Sequence, residues 1–262
     1  MKNAQTEVIL ELTKKMSFLF GPNAIKTLDV NLKSDNSAVT EIDLFVSNLI
    51  KEKILNHSVY KSYSFFSEEE YEDLTFPCAI LDPIDGTREL IKGRPECAVS
   101  LALMKTPEIS HPENYAWIYN PFSGFSLDSS IPFVPSSNKS QQKILGMVSR
   151  SEFEKGYFNF LLDIDPKIEI TPRGSIAFKL ALLASGACDF VLSLSPKNIW
   201  DIAAGSVLCS ARGIKLYQNG VEIKNLDEVN MKGMLLWAPD QFAEDLWIKF
   251  KNEKEKRMSE SR

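Results

Sequence analysis

The residues best suited to chemistry are Asp82-Pro83-Ile84-Asp85-Gly86-Thr87. Phe76–Leu81 is a short apolar run that reads as a buried strand, and it delivers Asp82 to its carboxyl end. Pro83 and Gly86 force a sharp turn, which returns Asp85 toward the same side. Two carboxylates and a backbone carbonyl then converge on one point, a donor set that suits a hard cation such as Mg²⁺. If a helix begins just after Gly86, the amides of Gly86 and Thr87 face outward, ready for a phosphate oxygen. The alternative is plain turn chemistry, since Asp-Pro and Asp-Gly are ordinary turn formers.

Three further acidic positions belong with this stretch. Glu68 stands 14 residues before Asp82, in the run Glu68-Glu69-Glu70, which on its own reads as a solvated charge run. Asp201, in Trp200-Asp201-Ile202-Ala203-Ala204-Gly205, sits near a helix start, where capping is the competing role. Asp43 follows Thr40 by three residues, the spacing of a capping box. Two carboxylates 4 Å apart repel by roughly 4 kcal/mol at an effective dielectric near 20. Glu68, Asp82, Asp85 and Asp201 therefore share a pocket only with cations between them. With two histidines, His57 and His111, both in polar surroundings, a histidine triad or a zinc site has little to work with. Neither a G-x-x-x-x-G-K-[ST] loop nor a G-x-G-x-x-G fingerprint occurs.

The elements that position these groups follow from periodicity. Val8, Leu12, Met16 and Leu19 predict an amphipathic helix over residues 1–20, ended by Pro22 and the polar stretch through Asn36. A second helix starts at Thr40, with Ile42, Phe45, Val46, Leu49 and Ile50 as its apolar stripe. Residues 59–66, 98–104, 115–119 and 144–148 read as strands, and 105–114 and 120–143 as loops or hairpin connections. Helices over Ser175–Ala184 and Trp200–Ala211 flank a strand at Phe190–Leu194. Lys215–Gln218 then opens a strand pair turning at Asn219-Gly220. The charged residues from Lys251 are expected to fray. Helices and strands mixed in this way predict layered α+β or α/β packing, divided at 134/135 into an N-terminal part with the first motifs and a C-terminal part with the last.

Composition sets the outer bounds. At 262 residues and 44% apolar, the chain can bury a substantial core. A net charge of −5 offers no basic field for nucleic acid. Cys78, Cys97, Cys188 and Cys209 lack C-x-x-C spacing and read as buried, reduced thiols of a cytoplasmic protein. Glu7 and Glu11 interrupt the N-terminal apolar positions, so neither a signal peptide nor a membrane span is expected.

In Glu68-Glu69, Asp82–Thr87 and Trp200–Gly205 the chain resembles the inositol monophosphatase-like, lithium-sensitive, Mg²⁺-dependent phosphatases. Val39-Thr40-Glu41-Ile42-Asp43 and Gly174-Ser175 fit the same pattern, and the likeness runs in order from about residue 30 to residue 215. The resemblance implies an α/β/α/β/α sandwich of the inositol monophosphatase and fructose-1,6-bisphosphatase type. It also implies two or three Mg²⁺ ions held by Glu68, Asp82, the Ile84 carbonyl, Asp85 and Asp201. Thr87 and Asp43, with Glu68, would then activate the attacking water, and Gly86, Thr87, Gly174, Ser175, Lys197 and Asp201 would meet the substrate. A homodimer is common among such proteins.

For the substrate, Arg88-Glu89-Leu90-Ile91 resembles the K/R-E-F continuation of 3′(2′),5′-bisphosphate nucleotidases more than the T-N-F of inositol monophosphatases. Lys197 could meet a second phosphate or be a solvated loop lysine. The expected order is adenosine 3′,5′-bisphosphate, then inositol phosphates, then sugar bisphosphates. Ser67 before the Glu pair, Ala211-Arg212-Gly213 after the last helix, and the loop 120–143 depart from the family pattern. A non-catalytic regulatory role is the competing class.

Overall fold

The computed structural model describes residues 2–20, 30–32, 38–132, 143–162 and 165–260. Its layers follow from which helices are apolar on one face and which all round. Helix α1 (Lys2–Leu19) buries Val8, Ile9, Leu12 and Met16. The short antiparallel strands β1 (Val30–Leu32) and β2 (Ala38–Thr40) then lead into α2 (Glu41–Leu55), which buries Val46, Ile50 and Ile54. Both helices are one-sided, and they form an outer layer.

Against them lies a sheet ordered β3 (Ser64–Ser67), β4 (Cys78–Asp85), β5 (Ala98–Met104), β6 (Tyr115–Asn120) and β7 (Phe125–Asp128), with α3 (Thr87–Ile91) following β4. Strand β4 is buried on both faces, which is why its sequence is continuously apolar. Ala79 and Leu81 pack toward α1 and α2, while Cys78 and Ile80 face the middle of the molecule.

The second sheet is built from β8 (Ile144–Ser149), β9 (Ile168–Arg173), β10 (Phe190–Ser193), β12 (Ile214–Gln218), β13 (Val221–Ile223) and β15 (Leu235–Pro239), in the order β13-β12-β15-β10-β8-β9. The short helices α4 (Arg150–Glu154) and α5 (Asn159–Leu162) connect β8 to β9. Between the sheets run α6 (Ile176–Ala184) and α7 (Ile199–Ser210), buried on nearly every side; such helices must occupy the interior. The pair β11 (Lys197–Asn198) and β14 (Asn230–Met231) closes the N-terminal end of α7. Helix α8 (Asp240–Glu260) covers the far side of the second sheet with Ala243, Leu246 and Phe250. The order of layers is α/β/α/β/α, as expected.

Several elements depart from expectation. Residues 57–63 form consecutive turns, closed by Tyr60 N–H and Lys61 N–H on His57 O, so the strand begins only at Ser64. Strand β4 does not stop at Asp82 but continues to Asp85 through an irregularity: Asp82 pairs with Ser100 and Asp85 with Ala98, leaving one extra residue on β4. Pro83, which has no N–H to give the ladder, falls within that bulge. Phe45 is 51% exposed, because the buried face of α2 runs through positions 46, 50 and 54, and Phe45 lies on the opposite side. The segment 120–143 contains β7, and its residues 133–142 lie outside the described residues, as do Pro22 and residues 33–37. The C-terminal residues expected to fray continue α8 to Glu260.

Candidate active site

Three elements, β3, β4 and α7, have an end at one place. The bulged end of β4 presents Asp82 and Asp85, and the first turn of α7 presents Asp201. One carboxylate oxygen from each lies within 4.8 Å of the others. Ser100, opposite Asp82 on β5, donates from Oγ to Trp200 O (3.2 Å) and fixes the start of α7 against the sheet. Gly205 lets α7 approach α6, where a β-carbon would run into Leu180. Glu68 continues the pairing of β3 beyond Ser67, its N–H donating to Leu81 O (3.1 Å), and so enters the same cavity beside Asp82. The charge run divides at this point. Glu70 points outward to an ion pair with Lys51 at 2.6 Å, whereas Glu68 faces inward.

The electrostatics of this cluster are those of a cation site. Asp82 is 1% exposed, and its Oδ1 is buried without a hydrogen-bond partner. Burial, then the charges of Glu68, Asp85, Asp201 and Asp43, push its carboxyl well above the usual range. Burial also raises Asp85, against the hydrogen bonds from Ser175 Oγ and the Ala177 amide (both 2.6 Å). Asp201 is pushed up to about 7 by burial and by Asp85, opposed by Lys197 and by the Asn198 N–H on its Oδ2 (2.9 Å). An orphaned buried oxygen in a cluster of hard oxygen donors fits a divalent cation such as Mg²⁺.

Beside the cluster, Thr87 Oγ1 lies 3.0 Å from both Asp43 Oδ1 and Ile84 O. Asp43 is itself anchored by the amide of Thr40, which donates to its Oδ2 at 2.8 Å in the capping box of α2. The capping reading of Asp43 and its link to Thr87 therefore hold together. Ile84 lines the cavity, and its carbonyl keeps a second lone pair beyond the Thr87 contact.

A cavity of about 360 Å³ is lined by Glu68, Asp82, Ile84, Asp85, Gly86, Thr87, Gly174, Ser175, Lys197 and Asp201, all the expected site residues except Asp43, which reaches it through Thr87. Gly174 is committed, its N–H donating to Glu96 Oε2 (2.8 Å). Ser175, at φ 50°, donates to Asp85 and accepts the Phe178 N–H, which caps α6.

A model of the inositol monophosphatase family matches residues 2–221 of this chain. The chain belongs to the inositol monophosphatase family. It is a phosphoric monoester hydrolase of a metal-dependent family. It is 26% identical over 206 residues to a 3′(2′),5′-bisphosphate nucleotidase CysQ of Buchnera aphidicola, covering 74% of this chain and 76% of that one. It is 24% identical over 268 residues to Inositol monophosphatase 3 of Solanum lycopersicum, covering 94% and 96%. Its fold matches that of the Thermotoga maritima IMPase with a TM-score of 0.76 at 20% identity, covering 98% and 99%. An IMPase/NADP phosphatase complexed with Mg²⁺ and phosphate matches with a TM-score of 0.70 at 14% identity, covering 94% and 95%.

Within this inositol monophosphatase-family site, several groups escaped the sequence reading. Lys179, 3% exposed, directs Nζ at the carbonyls of Arg173 (3.2 Å), Gly174 (3.4 Å) and Ser175 (3.0 Å), clamping the segment that carries Ser175 to Asp85. Burial lowers it to about 8, against the charge of Asp85. Its signal was present in the sequence: a lysine in the otherwise apolar IAFKLALLA. Glu152 accepts the N–H groups of Leu194 (3.2 Å) and Ser195 (2.9 Å), fixing the approach to Lys197. Glu96, in a turn-like stretch, accepts Arg150, Arg173 and Gly174. Burial raises its carboxyl, but these three donors outweigh burial and hold it below its ordinary value.

Proposed function

We propose that this chain is a Mg²⁺-dependent phosphomonoesterase that hydrolyses a small phosphorylated metabolite, with adenosine 3′,5′-bisphosphate the favoured substrate. The observation that carries the metal requirement is the convergence of Asp82, Asp85 and Asp201 around the partnerless Oδ1 of Asp82. In this reading Glu68 and the Ile84 carbonyl complete the donors for two or three ions. When bound, Mg²⁺ supplies the positive charge that acidifies water and screens the phosphate.

The chain's own residues do the rest. Asp43 accepts the Thr87 hydroxyl proton in a hydrogen bond; as attack proceeds, Thr87 Oγ1 takes a proton from the water and passes its own to Asp43, so the carboxylate is the base that ends protonated. Ser175 and the Ala177 amide hold Asp85 in place while charge builds beside it. Lys197, whose charge acts on both Asp85 and Asp201, favours an anion at the same end of the cavity.

The nucleotide preference rests on Arg88-Glu89 and on the CysQ likeness. Inositol phosphate is the second reading, favoured by the tomato relative that matches over 94% of the chain. Sugar bisphosphates are third. A non-catalytic role leaves the repulsive carboxylate set without a purpose. A cytoplasmic location completes the proposal, supported by four free, buried thiols. Among the described residues, no helix is long and apolar enough to cross a membrane.

The test is phosphate release at saturating Mg²⁺ from adenosine 3′,5′-bisphosphate, inositol 1-phosphate and fructose 1,6-bisphosphate, repeated with millimolar Li⁺. The expected result is nucleotide preference with lithium inhibition, abolished in Asp82→Asn. Full activity in that variant would sink the assigned site.

A further inference from the structure

The cavity is also lined by cations that the reaction described above does not use: Arg88 and Lys92 of α3, Arg150 at the start of α4 and Arg173 at the end of β9. Glu89 and Glu154 line it too, besides the carboxylates already described. Lys197 belongs elsewhere: its charge acts on Asp201 and Asp85, at the carboxylate end.

Two of these cations share an anchor. Glu96 is 8% exposed, and its carboxylate accepts Arg150 Nη2 (2.5 Å), Arg173 Nη1 (3.1 Å) and the Gly174 amide (2.8 Å). One carboxylate balances one guanidinium, so the pair is left with a net positive charge. Glu89 does not close the deficit. It bonds to Arg94 at 3.0 Å and stands 3.8 Å from Arg150 Nε, beyond hydrogen-bond reach. The Nε atoms of Arg150 and Arg173 are both buried without a partner. A guanidinium carries five N–H donors. Among the described residues, each of these two gives only one hydrogen bond to protein. A purely structural ion-pair network satisfies its buried donors, because each unmet one costs about 1–3 kcal/mol.

We infer that Arg150 and Arg173, braced on Glu96, form a second anion subsite, and that the substrate carries a second phosphate besides the one cleaved at Asp82, Asp85 and Asp201. The planar guanidinium fork matches phosphate geometry and stays charged at any working pH. The two ends are mechanically linked, since the segment Arg173-Gly174-Ser175 gives one side chain to the subsite and another to Asp85. Lys179 holds all three of its carbonyls. A β-carbon on Gly174 would strike Glu89 and the Glu96 carbonyl, so that segment lies tight against the anchor. This inference rests on the phosphatase reading and narrows it to bisphosphates.

The test compares kcat/KM for adenosine 3′,5′-bisphosphate with that for adenosine 3′-monophosphate, two compounds that differ by one phosphate. The bisphosphate is expected to lead by at least about tenfold in the wild type, the worth of one hydrogen bond to a charged group. That ratio falls toward one in Arg173→Gln, a half-exposed position that tolerates the change, and partly in Arg150→Lys, which keeps charge but loses the fork. Arg94→Gln, outside the cavity, keeps the wild-type ratio. A wild-type ratio near one, or an equal loss on both compounds in Arg173→Gln, overturns the subsite and leaves the nucleotide phosphatase standing. If neither adenosine compound is cleaved but fructose 1,6-bisphosphate is, the nucleotide reading fails, and the same ratio against fructose 1-phosphate decides the subsite. Cleavage of inositol 1-phosphate alone overturns it. No release from any compound sinks the phosphatase reading and this inference together.

Discussion

Asp82, Asp85 and Asp201 are held where ordinary carboxylates would not be, and their energetics make a prediction about pH. A carboxyl whose folded pKa lies above its unfolded value stabilises the fold only while protonated. That stability is complete below about pH 4, the unfolded value, and is lost as pH rises through the folded one, about 7 for Asp201. In EDTA, the melting temperature is therefore expected to fall between pH 5 and pH 8. Mg²⁺ should raise it much more at pH 8 than at pH 5, and Asp201→Asn should flatten the metal-free slope. Parallel pH profiles with and without Mg²⁺, read by scanning fluorimetry, would argue against a shared cation site. At this scale the acidic residues were readable from type and spacing. Lys179 stands out in the sequence as a lone charge in an apolar helix, but its role and that of Glu96 lie in carbonyls and guanidiniums that only folding brings near.

At the scale of elements, the turn after β4 sets the geometry. Gly86 caps α3 at φ 95°, and a β-carbon there would lie 2.9 Å from Glu96 O. Both the left-handed backbone and the close approach exclude other residues. Gly86→Ala is expected to cost about 1–3 kcal/mol in urea unfolding. It should lower kcat further than that loss of stability explains, since Asp85 and Thr87 flank the position. Unchanged kcat with an unchanged midpoint would show that the turn has slack. Periodicity found most of the elements that matter to the site. It failed at residues 57–63, where an aromatic-rich run folds into turns that bury Tyr60, and at Phe45, an apolar residue on the solvent face of α2. In both places apolar character alone did not say which way the chain or the side chain would point.

Across the whole molecule, stability and chemistry are carried by different layers. Phe250 on α8 is buried against Phe190, with ring centroids 6.2 Å apart, on the side of the second sheet away from α6 and α7. Phe250→Ala is expected to cost about 3–5 kcal/mol, as large aromatic truncations in a core do. Its kcat/KM should stay within about twofold, because surface and outer-layer changes leave distant groups in register. A matching loss of activity in protein that is still folded would mean that the outer layer sets the site geometry.

The sequence by itself singled out Asp82, Asp85 and Asp201 as candidate ligands, the strand that delivers the first of them and the helix that carries the last. Their chemistry follows from residue type, and their local placement from turns, caps and apolar periodicity. The tertiary structure alone decided that Glu68 faces inward while Glu70 pairs with Lys51, that β4 runs on through a bulge to Asp85, and that Glu96 gathers two arginines onto the cavity wall. Those outcomes depend on which distant residues become neighbours. Glu96 and Arg173 are 77 positions apart, and no local pattern encodes a contact across that interval.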